Sequence, residues 1–121
     1  MLNHTLPLGL VLAILFSHWV SDFVAQTDQM AKGKSTSNKW LVAHVAAYGA
    51  FMLIFMIVLT GHFPIVWLLL NVVLHGCTDY VTSRVTSRLW KAGEVHWFFV
   101  VIGFDQLIHS VTMFVTIPYF F

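Results

Sequence analysis

The sequence predicts an all-α integral membrane protein, a four-helix bundle built as a single transmembrane domain over residues 1–121. Three observations predict it. Of the 121 residues, 59% are hydrophobic and only 9% are charged, with a mean hydropathy of +0.82. Soluble domains carry about 25% charged residues, and a chain this short cannot hide so much apolar surface in one core. Next, four apolar segments are each long enough to cross about 30 Å of hydrocarbon. They are Leu6–Ala25, Trp40–Thr60, Pro64–Val81 and Trp97–Ile117. Finally, all six Lys and Arg residues fall in just two of the connections.

The first segment has no basic stretch ahead of it and contains His18 and Asp22, so it does not read as a signal peptide. The second ends at Thr60-Gly61-His62-Phe63-Pro64. A glycine just past one helix and a proline opening the next make a tight hairpin. The third runs into the tandem stretch "VTSRVTSR" from Val81 to Arg88. There Arg84, Arg88 and Lys91 share one helical face, which reads as a helical extension or an interfacial helix that meets anionic lipid or a phosphate. The fourth ends near Pro118. The whole also reads as two helical hairpins in parallel repeat, because the same offset of 57 residues carries His18 onto His75, Asp22 onto Asp79 and Tyr48 onto Asp105.

Lys32, Lys34 and Lys39 lie between the first two segments; Arg84, Arg88 and Lys91 lie between the last two. The positive-inside rule places both basic connections in the cytoplasm and both termini outside. Without a broad basic face, nucleic acid is excluded as a partner. The one cysteine, Cys77, can form no internal disulfide and reads as a small buried hydrophobe.

Each segment carries polar residues four apart. His18, Asp22 and Gln26 occupy the first; His44 and Tyr48 the second; Asn71, His75 and Asp79 the third; Asp105 and His109 the fourth. Residues at i and i+4 share a helix face. Polar faces turned to lipid are costly, so these four should turn towards one another. Counted from the segment ends, Asp22, Asp79, His18, His75 and His44 share one depth near the basic side, and His109 fits worst. His4, His62 and His96 lie at segment ends and read as interfacial.

An Asp at a helix centre costs roughly 2.5–3.5 kcal/mol on insertion scales. Asp22, Asp79 and Asp105 lie within or at the edges of segments that hold no Lys or Arg. They need protons, imidazolium partners or a metal ion. Imidazole nitrogen mixed with carboxylate oxygen suits a divalent metal, Zn first, then Mn, Fe or Ni. The candidate ligands are His18, Asp22, His44, His75, Asp79, Asp105 and His109, with Asp22, Asp79 and Asp105 also the candidate catalytic carboxylates. Gln26, Tyr48, Asn71 and Gln106 read as supporting groups around them. A hydrogen-bonded His–Asp network, or an ion path, would use the same residues.

At "HWVSDFVAQTDQMAKGK", "HGCTDY" and "FDQLIHS" the chain resembles a small polytopic membrane family of bacteria and their phages, catalogued as a domain of unknown function. The resemblance covers nearly the whole chain. It implies a bacterial inner membrane and a polar set that also includes Asp28 and Gln106. More distantly, the pattern is similar to membrane-bound metal-dependent hydrolases. Those carry a fuller H-R-G-x-T-H-S type stretch, where this chain has only "HGCTDY" and "IHS".

The leading expectation is a metal-dependent hydrolase of a lipid or phosphoester, with Arg84, Arg88 and Lys91 steadying a phosphate or head group. The alternative is a non-enzymatic, phage-encoded membrane interaction protein. It would form homo-oligomers or bind a host membrane protein, with Ala43, Ala46, Ala47 and Ala50 allowing close helix approach. An ion or small-molecule transport subunit is the third reading. The lipid bilayer is a partner in all three.

Overall fold

A computed structural model describes residues 5–121 of the chain; the interfacial reading of His4 lies outside them. Helix α1 spans Leu8–Trp19 and passes directly into a π-helical turn, Val20–Val24. A short α2 covers Asp28–Gly33, followed by α3 over Asn38–Thr60, α4 over Ile65–Lys91 and α5 over Val95–Phe120. Helices α3, α4 and α5, of 23, 27 and 26 residues, are long and apolar enough to cross a membrane. Leu8–Val24 is apolar but shorter. At about 1.5 Å per residue, it reaches a little less far than the hydrocarbon is thick.

The breaks lie where the backbone chemistry requires them. Gly61 takes a left-handed φ of 71° just past α3, and its N–H donates to the Ile57 carbonyl. Pro64 stands immediately before α4. Gly93, at φ 73°, turns the chain from α4 into α5. Pro118 lies inside the last turn of α5, which continues to Phe120.

Helix α4 packs most extensively against α5 and next against α3; α3 in turn meets α1. The pairs are antiparallel. Along α4 and α5, Thr82 bonds Asp105, Asp79 approaches His109 and Asn71 bonds Thr116. Gly49 and Gly76 let α3 and α4 close up, because a methyl at either would lie 3.0 or 3.4 Å from a valine of the facing helix. Ala46 and Ala50 are exposed.

Every long helix buries one stripe. In α3 it runs Leu41, His44, Tyr48, Met52, Met56; in α5, Asp105, His109, Met113, Ile117. The stripes are polar towards the Lys/Arg-bearing end of the bundle. Towards the other end they are apolar, where Ile14, Met52, Met56, Trp67, Leu68, Met113 and Ile117 form the core. Large apolar side chains such as Ile54, Val58, Val66, Leu69, Val73, Phe104 and Leu107 face outwards, as a lipid-facing surface requires. Hydroxyls that would be stranded among them bond back to their own helix. Thr78 donates to the Leu74 carbonyl at 2.9 Å and Thr112 to the His109 carbonyl at 3.0 Å.

The structure amends several expectations. Of the two readings of "VTSRVTSR", a helical extension or an interfacial helix, the first holds, since α4 runs unbroken to Lys91. Asp79 therefore lies three turns inside its helix, not at its end. Cys77 is exposed on the outer face and not buried. Two residues on from His75, it is carried to the opposite side of the helix.

Candidate metal centre

The π-helical turn sets the first ligand group. Asp22 lies on this turn, four residues on from His18 in the last turn of α1. Ser21 and Asp22 are both buried on this turn, and the Ala25 N–H closes it by donating to the Val20 carbonyl at 2.8 Å.

Four side-chain atoms from three segments then converge. His44 Nε2 lies 3.1 Å from both Asp22 Oδ1 and Asp79 Oδ2. His75 Nε2 lies 3.4 Å from each of the same oxygens. The two imidazole nitrogens are 3.3 Å apart. A regular tetrahedron of ligands around zinc, at 2.0–2.1 Å per bond, has edges of about 3.3–3.4 Å. Five of the six edges formed by these four atoms are known, and they run from 3.1 to 3.4 Å. All four residues are buried.

Next to this group is a second. Asp105 and His109, both buried, lie with Asp22 close enough to share a cation. His109 Nε2 is 3.1 Å from Asp79 Oδ1 and 3.1 Å from Asp105 Oδ2. His109 thus joins the cluster and is not too deep for it. Depth along α5 has to be counted from the turn at Gly93, and α4 reaches that turn as an unbroken helix. Thr82 donates to Asp105 Oδ1, and Gln106 Nε2 donates to Asp22 Oδ2 and Asp105 Oδ2 at 3.2 and 3.0 Å. His18 is buried, with Nε2 3.6 Å from Asp22 Oδ2.

Packing holds the rings. His75 is stacked between Tyr48, at 3.9 Å, and His109, at 4.0 Å. Nδ1 of His44 and of His75 has no hydrogen-bond partner among the described residues, so stacking, not an outer hydrogen bond, orients His75. The Tyr48 hydroxyl reaches only Met113 Sδ, at 3.8 Å. Asn71 bonds Trp67 and Thr116 and faces away from the cluster. Gln26 is half-buried at the cluster's edge, with its carbonyl oxygen unpaired. Asp28 is exposed in the first turn of α2.

One participant carries no signature in the sequence. Lys34, in the connection after α2, places Nζ 3.2 Å from Asp79 Oδ2 with its side chain 19% exposed. A cationic side chain therefore does reach the buried carboxylates, from outside the apolar segments. Around it a cavity of about 570 Å³ opens at the basic end. Asp22, Asp105 and Gln106 line its inner part; Lys32, Lys34, Lys91, Ser83 and Ser87 line polar walls, and Trp90, Phe98, Phe99 and Ile102 an apolar one. Arg84 turns elsewhere, stacking on Tyr80 at 3.7 Å and donating to Asn38 Oδ1 at 3.1 Å. Arg88 is exposed.

The chain is thus a membrane-like helical protein with buried His/Asp clusters able to hold a metal. No curated protein and no solved structure matches it. A family model described as "Protein of unknown function (DUF3307)" matches residues 10–121, nearly the whole chain, and the protein belongs to that family.

Proposed function

We propose that the protein is a four-span metal-dependent hydrolase of the bacterial inner membrane, acting on a lipid or another phosphoester or ester delivered from the cytoplasmic side. Asp22, His44, His75 and Asp79 would hold the divalent cation, with zinc the first candidate and Mn, Fe or Ni the others. The near-tetrahedral spacing of their four donor atoms carries this reading. A divalent cation there supplies Lewis acidity and lowers the pKa of water.

The residues around it have separate tasks. Asp22 and Asp79 set the charge that attracts the cation. Tyr48 keeps the His75 ring in place. Lys34 pairs with Asp79 and stands beside the cavity, so it can turn to a substrate phosphate. Lys91 lies on the same wall, while Arg84 and Arg88 fit better as anchors to anionic lipid. The apolar wall would take an acyl chain. The positive-inside rule supports cytoplasmic placement of the cavity, with both termini outside.

Elemental mass spectrometry on protein in mild detergent tests this, with wild type measured beside an Asp22→Asn, Asp79→Asn double variant. Near-stoichiometric metal lost in the variant is the expected result. No metal in either, with both folded, overturns the proposal.

The second reading is an interaction protein whose polar cluster only fixes the bundle, working through its outer surface in an oligomer or with another membrane protein. The Lys34–Asp79 pair favours it, since it offsets one buried charge without a cation. Transport has least support: among the described residues, the inner stripe beyond the cluster is an apolar plug.

A further inference from the structure

We propose that the cluster holds two divalent cations side by side, with Asp22 and Asp79 bridging them. This deepens the metal reading above and rests on it. Both carboxylates are split between two groups of donors. Asp79 turns Oδ2 to His44 and His75 and Oδ1 to His109, the last at 3.1 Å. Asp22 turns Oδ1 to the same two histidines, whereas Oδ2 lies 3.2 Å from Gln106 and 3.6 Å from His18. Two carboxylates that each offer one oxygen to either side are the bridging arrangement of a two-metal site, where the ions lie about 3.5–4 Å apart.

The second side has its own donors, His109 Nε2 and Asp105 Oδ2, 3.1 Å apart. With an Asp22 oxygen they lie within 4.8 Å of one another. An independent observation points to the same place. His18 is only 5% exposed, yet its Nε2 has no hydrogen-bond partner and is aimed at Asp22 Oδ2. A buried imidazole nitrogen left unpaired is costly, and a cation beside Asp22 would pair it. The Gln106 amide N–H groups bond Asp22 Oδ2 and Asp105 Oδ2 at this same point, and the amide would turn aside for the ion.

Two ions also narrow the substrate. Two divalent cations outweigh three carboxylates by one positive charge. Such a centre prefers an anion, so it selects a phosphoester over a neutral ester. The lysines on the cavity wall have the matching sign.

The test is stoichiometry with Mn²⁺ as the only added metal, on the full chain in detergent. Elemental mass spectrometry gives ions per chain, and electron paramagnetic resonance reports whether they are exchange-coupled. Two ions per wild-type chain with a coupled signal are expected. A His18→Ala, His109→Ala variant should retain one, uncoupled. One uncoupled ion in the wild type overturns the second site and leaves the first standing. No ion overturns both. Two uncoupled ions in the wild type, or two in the variant, place the second ion elsewhere and also overturn the inference. Because the wild-type result stands alone, a variant that fails to fold does not blunt the test.

Discussion

Replacing Lys34 with glutamine separates a metal centre from an ion-paired bundle, because the two predict opposite signs. Lys34 Nζ lies 3.2 Å from Asp79 Oδ2. A cation about 2 Å from that oxygen stands no more than about 5 Å from the ammonium. The repulsion between charges of +2 and +1 at that distance is about 1.7 kcal/mol at the dielectric of water, and several times more in a drier site. Lys34 is partly exposed and can swing out, so the lower figure applies. Lys34→Gln should then tighten metal binding on the order of tenfold. The metal-free protein should lose stability. Removing one partner of a fully buried pair costs about 3–5 kcal/mol and of an exposed pair about 0–1 kcal/mol, so a cost of about 1–3 kcal/mol fits this half-exposed one. Competition with a chromophoric chelator in detergent measures the first effect, and thermal unfolding without metal the second. Affinity that is unchanged or weaker, together with lower stability, would refute the metal reasoning. It would make Lys34 the counter-ion of the cluster.

Further expectations follow from single contacts. Trp67→Phe removes the indole N–H bond to the Met113 carbonyl, 3.0 Å long and fully buried. That carbonyl keeps the Thr116 hydroxyl, so the loss should stay near 1–2 kcal/mol, read as a lower unfolding temperature. Tyr48→Phe should be nearly silent in metal affinity, while Tyr48→Leu should weaken it, since the ring stacked on His75 matters more than the hydroxyl. Gly33→Ala would put a methyl 2.6 Å from the Trp40 ring. It should cost about 1–3 kcal/mol and shift metal affinity through the neighbouring Lys34. In a Cys77→Ala background, His62→Cys should react with an impermeant maleimide on intact cells, and Lys91→Cys only after permeabilisation; the reverse pattern would invert the orientation.

The long helices were legible because apolar runs and Gly/Pro punctuation are local properties. The end of α4 was legible only as a choice between a helical extension and a separate interfacial helix. An apolar window closes at Val81, but helical hydrogen bonds do not require apolar side chains, and Thr86 bonds within its own helix. Counting depth from Val81 and not from the end of that extension is what made His109 look misplaced. The histidines and carboxylates of the cluster stood out because four-residue spacing gives each helix one polar face. Lys34 did not, because its partner is 45 residues away and nothing in "AKGKS" marks it. The π-helical turn was hidden for a related reason: a gain of one residue in a turn alters hydrogen bonding without altering composition. Tyr48 and Asp105, equated by the 57-residue offset, have different surroundings, one stacked on His75 and the other bonded to Thr82.

The apolar plug beneath the cluster has a consequence for the proposed hydrolysis. Trp67, Met52, Met56 and Met113 fill the bundle on the far side of the histidines, so among the described residues the cavity does not continue through the bundle to that side. If the proposed hydrolysis takes place there, product would leave towards the basic end from which its precursor came. Product and substrate would then compete for the same passage. The pace of such a protein would be governed by how fast the surrounding leaflet clears that passage, and the voltage across the membrane would have little hold on it.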